Sequence, residues 1–249
     1  RRWVVRLSGA GLVGTELLDG KPQMTLYLGN HPLRALLFDF DGTLVDTSDS
    51  IVESFVGAFR LAGLPVPGPE SVRRLIGYPL REAFARLAPY GPVDHLVEIY
   101  RREFWERSRN GARLFPGARS LLEFAATHGR VGIVSSRSHR GVVDLLEFFD
   151  LERYVSIIVA ADDVAEPKPS ALPVLEALRC LEAKPTCAVM IGDTPLDMAA
   201  GRSAGVLPLG VLTGSYPAEE LVGAGAHLVY PNLRTLQADL REIPSSSAR

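Results

Sequence analysis

Two carboxylates, Asp39 and Asp41, stand at the end of a short apolar run, and Gly42 follows them directly. The run, residues 35–38, reads Ala-Leu-Leu-Phe and predicts a strand that is buried on both faces. In open α/β sheets, ligands bind beyond the carboxyl ends of the strands. Two ionised carboxylates at this spacing repel each other, so a proton, a base or a cation has to offset their charge. Mg²⁺ prefers carboxylate oxygens together with phosphate and water, which makes it the expected cation.

A hydroxyl-rich turn follows a second apolar run further along the chain. Residues 131–134 predict a buried strand, and Ser135, Ser136 and Arg137 come directly after it. A hydroxyl and backbone N–H groups at a strand end, ahead of a helix N-terminus, form a site that suits phosphate. The turn is therefore a candidate phosphate-binding element.

A lysine and two more carboxylates complete the set of candidate groups. Lys168 stands between two prolines, which stiffen the loop around it. Asp193 and Asp197 follow a third apolar run, residues 188–191. An ammonium beside several carboxylates offsets their repulsion and can hold a phosphoryl oxygen. Helix capping alone would be the alternative explanation for Asp193 and Asp197.

The stretch 39–46, which reads Asp-x-Asp-Gly-Thr-Leu-x-Asp, resembles the first motif of the haloacid-dehalogenase-like hydrolase superfamily. The three later groups stand in the order that this superfamily requires. Within it, the chain looks most like phosphoglycolate-phosphatase-type enzymes with a helical cap. The resemblance implies that Asp39 is a nucleophile that becomes phosphorylated and that Asp41 is the general acid and base.

The resemblance also assigns the remaining site residues. It implies Mg²⁺ bound by Asp39, the backbone carbonyl of Asp41 and Asp193, with Asp197 in support. The residues expected to bind substrate are Ser135, Ser136, Arg137 and Lys168. Many relatives have Thr-Asn where this chain has two serines, and a proline three residues after the lysine where this chain has Ala171.

Strands and helices alternate after residue 112, which predicts an α/β fold with a Rossmann-like parallel sheet and helices on both faces. Residues 48–112 show helical spacing without a strand candidate, and this block resembles the inserted all-helical cap of the superfamily. The expected domains are a core of residues 35–47 and 113–249 and a cap of residues 48–112.

Residues 1–34 are expected to form an extension that is hairpin-like or poorly ordered. Strand candidates at residues 3–7 and 25–28 flank a turn signal at Asp19 and Gly20. The glycines at 9, 11 and 14 match the dinucleotide-binding fingerprint. That fingerprint needs a following helix, and glycines and a proline interrupt any long helix here.

Composition excludes several classes of protein. The chain has 249 residues, of which 47% are hydrophobic and 22% charged, and a net charge of −2, so a basic nucleic-acid surface is not expected. Two cysteines are too few for a disulfide framework and favour a cytoplasmic protein. No uncharged apolar run is long enough to span a membrane. The expected partner is a small phosphorylated metabolite, and the expected state is a monomer or homodimer.

The resemblance, carried by these residues, implies an Mg²⁺-dependent phosphatase that acts on a small phosphomonoester, phosphoglycolate-like or a phosphosugar. A phosphosugar mutase of the β-phosphoglucomutase type and an inorganic pyrophosphatase remain open, and a non-catalytic ligand-binding relative is the alternative from another class. A haloacid dehalogenase would not need an acid at position 41, because halide leaves unprotonated. The presence of Asp41 therefore argues against a dehalogenase.

Overall fold

The computed structural model describes residues 14–18, 21–28 and 31–242. Its strands are β1 Gly14–Leu18, β2 Lys21–Thr25, β3 Tyr27–Leu28, β4 His31–Pro32, β5 Ala35–Phe38, β6 Val45–Asp46, β7 Arg113–Leu114, β8 Arg130–Val134, β9 Ile157–Val159, β10 Ala188–Gly192, β11 Leu207–Val211 and β12 Leu228–Tyr230. Its α-helices are α1 Ser48–Leu61, α2 Pro69–Arg73, α3 Leu80–Leu87, α4 Val93–Gly111, α5 Ala118–His128, α6 His139–Phe148, α7 Leu172–Cys180, α8 Pro195–Ala204, α9 Ala218–Ala224 and α10 Leu233–Glu242. Short 3₁₀ turns lie at Glu152–Tyr154 and Pro185–Cys187.

Six parallel strands form the central sheet, in the order β12-β11-β10-β5-β8-β9. The first apolar run, β5, lies in the middle, where Leu37 pairs with Met190 on one side and Gly132 on the other. All four residues of β5 are buried, because helices cover both faces of the sheet. The predicted α/β fold with a Rossmann-like parallel sheet is confirmed.

The side chains of β5 alternate between two apolar clusters on opposite faces of the sheet. Leu36 and Phe38 join the cluster beneath α5, α6 and α10, whereas Leu37 joins the cluster beneath α7 and α8. This alternation follows from the two-residue period of a strand. The ten-residue α10 completes the first cluster through Leu233, Leu236 and Leu240; the sequence patterns described above do not predict this helix.

Helices α1 to α4, named here the helical insertion, lie between two short strands that pair with each other. Val45 of β6 pairs with Leu114 of β7, so the chain leaves and re-enters the core at one place. The insertion has an apolar cluster of its own, in which Phe55, Phe84 and Tyr100 pack ring against ring. The described residues 48–111 contain helices and turns but no strand.

The N-terminal part of the described chain is a hairpin. Strands β1 and β2 pair antiparallel, and Gly14 pairs with Thr25. The predicted turn at Asp19 and Gly20 lies outside the described residues. Gly14 therefore begins a strand, whereas the dinucleotide fingerprint requires a helix after its last glycine. The strand candidate at 3–7 lies outside the described residues. The candidate at 25–28 is divided between β2 and β3 by the buried Leu26.

None of the helices in the described ranges is both long and apolar enough to cross a lipid bilayer. The longest one, α4, carries a charged residue on nearly every turn.

We expect Phe84→Ala to lower the free energy of unfolding by about 3–5 kcal/mol, the usual cost of an aromatic-sized cavity. Phe84 is fully buried, with its ring centroid 4.4 Å from that of Phe55 and 5.9 Å from that of Tyr100. Urea unfolding measures the effect, with limited proteolysis of the helical insertion as the probe of its unfolding. Tyr90→Ala, at a fully exposed position, is the control and should stay within about 0.5 kcal/mol of wild type. A change below about 1 kcal/mol in Phe84→Ala would contradict the packing described.

Candidate active site

Three buried carboxylates meet at the carboxyl edge of the sheet. Asp39 follows β5, and its backbone N–H donates to the carbonyl of Ile191 on β10 at 2.8 Å. Asp193 follows β10 directly, and Asp197 lies in the first turn of α8. One carboxylate oxygen from each of the three lies within 4.8 Å of the other two. The parallel order of β5 and β10 produces this convergence, because both strands end at the same edge.

Lys168 lies between two of these carboxylates. Its Nζ is 2.8 Å from Asp39 Oδ1 and 2.6 Å from Asp197 Oδ1, and it donates to the carbonyl oxygen of Val134 at 3.1 Å. Burial by itself would lower the pKa of Lys168, but the charges of Asp197 and Asp39 outweigh it and raise that pKa. The ammonium therefore stays charged although its side chain is almost completely buried.

Asp197 uses both of its oxygens within the protein. Oδ1 contacts Lys168, and Oδ2 accepts the backbone N–H of Thr194 at 3.0 Å and its hydroxyl at 2.6 Å. Thr194 in turn accepts the backbone N–H of Asp197 at 3.3 Å, which completes a capping box at the start of α8. Asp197 thus both caps a helix and holds Lys168.

Asp193 is held by one hydroxyl and two glycines. The hydroxyl of Thr43 donates to its Oδ1 at 2.6 Å. Gly42 has a φ of 84°, and a Cβ added there or at Gly214 would overlap Oδ2 of Asp193. Both positions therefore require glycine for the backbone to approach this carboxylate.

Asp41 is held on the other side of the site by Arg137 and Thr47. Arg137 donates from Nε to Oδ2 at 2.8 Å and from Nη2 to Oδ1 at 2.5 Å, which makes a two-pronged ion pair. The hydroxyl of Thr47, at the start of α1, donates to Oδ1 at 2.5 Å. The guanidinium carbon lies 4.7 Å from the centre of the Phe104 ring on α4.

The predicted hydroxyl turn lies at the end of β8, which pairs with β5. Ser135 is buried, and its Oγ accepts the backbone N–H of Arg137 at 3.1 Å. The Oγ of Ser136 is buried and has no hydrogen-bond partner among the residues that the structure describes. Ser138 caps α6 by accepting the N–H of Gly141 at 3.4 Å, so the turn stands at a helix N-terminus. A buried unpaired hydroxyl at this place suits a ligand oxygen.

Burial, together with the charge of neighbouring carboxylates, raises two carboxyl pKa values in the site. Burial raises the pKa of Asp39 from 3.8 to about 7, the charge of Asp197 adds to this, and Lys168 opposes it. Burial, and then the charges of Asp39 and Asp197, raise the pKa of Asp193 well above its usual value. The anionic forms are therefore under-compensated by the cations within the described part of the chain. This donor set, oxygen-only and short of positive charge, fits a small divalent cation such as Mg²⁺.

The structure brings every predicted site residue to one edge of the sheet. Sequence reasoning did not single out Thr43, Thr47, Thr194 or Gly214 as site residues. Thr43 stands inside the first motif and Thr194 shows the capping-box spacing to Asp197, so a local signal existed for these two. For Thr47 the sequence indicated only a possible helix cap. For Gly214 it indicated only membership in a glycine-containing segment after β11.

The parallel sheet with an acidic cluster at its carboxyl edge places this chain among the α/β proteins that bind ligands at that edge. Comparison with known proteins narrows this class. The family described as haloacid dehalogenase-like hydrolase matches residues 36–211. A phosphoglycolate phosphatase of Aquifex aeolicus (strain VF5) is 30% identical over 70% of this chain and 82% of that protein. A pyrophosphatase, PpaX, of Anoxybacillus flavithermus (strain DSM 21510 / WK1) is 32% identical over 72% of this chain and 83% of that protein.

A solved structure shows the same relationship. A haloacid dehalogenase-like family hydrolase from Streptococcus pneumoniae superposes with a TM-score of 0.76 at 26% identity, over 83% of this chain and 97% of that one. The chain belongs to the haloacid dehalogenase-like hydrolase family. The predicted family, and with it the predicted enzyme class, is confirmed.

We expect the stability of the metal-free protein to fall as pH rises from about 4 to about 7. The folded protein keeps a proton on Asp39 up to a pKa of about 7, whereas the unfolded chain releases it near 3.8. Between these values the folded state binds more protons, so each rise in pH disfavours it, and Asp193 acts in the same direction. A divalent cation such as Mg²⁺ would bind the ionised carboxylates, so its stabilising effect should grow over the same range.

Melting temperatures across this pH range, in EDTA and in Mg²⁺, measure both effects. Asp39→Asn removes one titrating group and should flatten the pH dependence in EDTA. If Mg²⁺ raises the melting temperature no more at pH 7 than at pH 5, the assignment of a divalent-cation site to Asp39 and Asp193 is contradicted.

Proposed function

We propose that this chain is an Mg²⁺-dependent phosphatase that hydrolyses a small phosphorylated metabolite through an aspartyl-phosphate intermediate. The observation that supports this most directly is the buried contact of Lys168 with Asp39 at 2.8 Å, beside Asp193. A carboxylate that is held next to a cation and a second carboxylate suits attack on a phosphate anion. Relatives of this chain carry the names phosphoglycolate phosphatase and pyrophosphatase.

The residues that would hold Mg²⁺ are Asp39, the backbone carbonyl of Asp41, and Asp193. Asp197, whose oxygens are engaged by Lys168 and Thr194, would support the site by fixing Lys168 rather than by direct ligation. When bound, Mg²⁺ neutralises charge on the nucleophile and the phosphoryl group, so that one anion can approach another.

In the first proposed step an oxygen of Asp39 attacks phosphorus. The bond from phosphorus to the leaving oxygen breaks, its electron pair stays on that oxygen, and Asp41 supplies the proton. In the second step a water attacks the aspartyl-phosphate, Asp41 takes the proton of that water, and Asp39 leaves as a carboxylate. Lys168 and Ser135 would hold the transferring oxygens, and the unpaired hydroxyl of Ser136 would add a third donor.

The helical insertion would act as a cap that excludes water from this site. It reaches the core around the α2–α3 loop, where Arg74 forms an ion pair with Glu220 at 3.0 Å. The hydroxyl of Tyr216 donates to the carbonyl of Arg74 at 2.5 Å, and Gly77 lies against the Thr194 side chain. These contacts hold residues 74–78 over the edge of the sheet where the carboxylates meet.

Phosphate release from a panel of phosphomonoesters and pyrophosphate, with and without Mg²⁺, tests the proposal. Turnover that requires Mg²⁺ supports it, and the preferred compound separates a phosphomonoesterase from a pyrophosphatase. Isomerised product in place of free phosphate would identify a mutase. The cytoplasmic location and the monomer or homodimer stay predictions.

We expect Asp39→Asn to reduce turnover by several orders of magnitude, because an amide is a poor nucleophile and a poor Mg²⁺ ligand. Steady-state phosphate release measures the effect. Asp49→Asn makes the same chemical change at an exposed position ten residues away and is the control. Turnover of Asp39→Asn within about tenfold of wild type would reject the nucleophile, since tenfold corresponds to only about 1.4 kcal/mol of barrier.

We expect Asp41→Asn to slow alkyl phosphates more than p-nitrophenyl phosphate. Nitrophenolate leaves without much help from an acid, whereas an alkoxide needs the proton. Comparison of kcat for the two substrates in wild type and variant measures the difference. An equal loss would move the role of Asp41 to the activation of water, and no loss would remove Asp41 from catalysis.

A further inference from the structure

Arg137 is a buried cation whose backbone is anchored beside the phosphate-binding turn. Its N–H donates to Ser135 Oγ at 3.1 Å, and its carbonyl accepts the N–H of Ala161 at 3.1 Å. Its side chain is only 6% exposed, and its guanidinium lies against the Phe104 ring. Burial would lower the pKa of Arg137, but Asp41 and, to a smaller degree, Asp39 raise it, so the group keeps its charge.

The guanidinium occupies both oxygens of Asp41. Nε donates to Oδ2 and Nη2 to Oδ1, and Thr47 donates to Oδ1 as well. Every neighbour of this carboxylate in the hydrogen-bond network is thus a donor. A carboxyl group that hands a proton to a leaving oxygen has to turn one of its oxygens toward that oxygen. Oδ2 accepts one recorded hydrogen bond and keeps a second lone pair, so it can meet the leaving oxygen while Arg137 is still bound. As the acid, however, Asp41 carries a proton, which removes the negative charge that pairs with Arg137 and weakens at least one of the two bonds.

The N–H groups of Arg137 that lose a charged acceptor in this way stay in a buried place and favour a new acceptor. A buried charged donor without a partner is costly, so the site favours a ligand that supplies one. Because Asp41 acts on the leaving oxygen, the guanidinium that touches Asp41 also lies on the leaving-group side. A carboxylate or a phosphate fits the two-pronged donor geometry of arginine, whereas a single hydroxyl satisfies it poorly.

We propose that Arg137 is a specificity-determining residue that selects substrates whose leaving group carries a carboxylate or phosphate anion close to the scissile oxygen. This inference rests on the proposed phosphatase function. It favours esters of short hydroxy acids, or pyrophosphate, over esters of neutral alcohols and sugars. In this structure the guanidinium of Arg137 forms its two-pronged ion pair with the carboxylate of Asp41 instead.

Two matched pairs of substrates test the proposal. Phosphoglycolate and ethyl phosphate have leaving groups of two carbons that differ in the carboxylate, and pyrophosphate and methyl phosphate differ in the leaving phosphate. For each substrate, kcat and KM are measured for wild type, Arg137→Gln and Arg137→Lys in Mg²⁺. The ratio of wild type to variant, taken substrate by substrate, cancels the intrinsic reactivity of the ester. Arg140→Gln removes an exposed arginine three residues away and is the control.

We expect Arg137→Gln to lower kcat/KM at least tenfold more for the anionic member of at least one pair than for its neutral partner, mainly through KM. Arg137→Lys keeps the charge without the fork, so it should fall between wild type and Arg137→Gln. The pair that responds identifies carboxylate or phosphate as the selected anion. An equal loss for both members of both pairs would overturn the proposal and leave Arg137 as a positioning residue for Asp41.

A binding measurement separates this inference from the proposed function. If carboxylate is the selected anion, calorimetric titration with glycolate, in Mg²⁺ and inorganic phosphate, should show at least tenfold weaker affinity for Arg137→Gln than for wild type. If phosphate is the selected anion, titration with inorganic phosphate should show the same loss of affinity. Unchanged affinity for both anions overturns the role of Arg137 even if the enzyme is active. A wild-type protein that releases no phosphate from any ester contradicts the phosphatase function, whereas the titration still reports on the anion site.

Discussion

Mutual repulsion among buried carboxylates is the constraint on which the structure of the site depends. Asp39, Asp193 and Asp197 bring oxygens within 4.8 Å of one another at a place with almost no exposure to water. The low dielectric of such a place strengthens repulsion and attraction alike. Lys168 offsets part of the charge by contacting two of the three, and in the described part of the chain Asp193 has no cation in direct contact. A divalent cation fits the remaining deficit.

The fold meets this constraint by separating apolar from polar contacts along the strands. Strand β5 is buried along its whole length, and the chain turns polar only at its carboxyl end. The neighbouring strand β10 is also buried along its whole length, and β8 is buried after its exposed first residue, Arg130. The hydroxyls and carboxylates that follow these strands meet at one edge with Lys168, which comes from the loop between β9 and α7. The two apolar clusters on either side of the sheet hold that edge rigid, which keeps charged groups at fixed distances.

The helical insertion is joined to the core in a different way. Its apolar cluster is separate from both clusters of the core, and its contacts with the site are polar or aromatic, as at Arg74 with Glu220 and Phe104 with Arg137. The exposed ion pair between Arg74 and Glu220 is exchanged for water at little cost, unlike a shared apolar core. Asp41, the proposed acid-base group, lies where the insertion and the core meet, held by Thr47 on one side and Arg137 on the other.

The amino-acid sequence by itself determined the candidate groups and most of the elements, with α10 as an exception. Apolar runs predicted the strands of the sheet, and the acids at their carboxyl ends predicted Asp39 and Asp193, because periodicity and turn chemistry are local properties. The prolines on both sides of Lys168, and the resemblance to the family, singled out that lysine. Tertiary structure alone decided the partners. Thr43 donates a hydrogen bond to Asp193, 150 residues away in the sequence, and Arg137 donates to Asp41, 96 residues away. Such pairs depend on strand order and side-chain direction, which no local pattern encodes, and so the ionic state and the selectivity of the site emerge only from the folded chain.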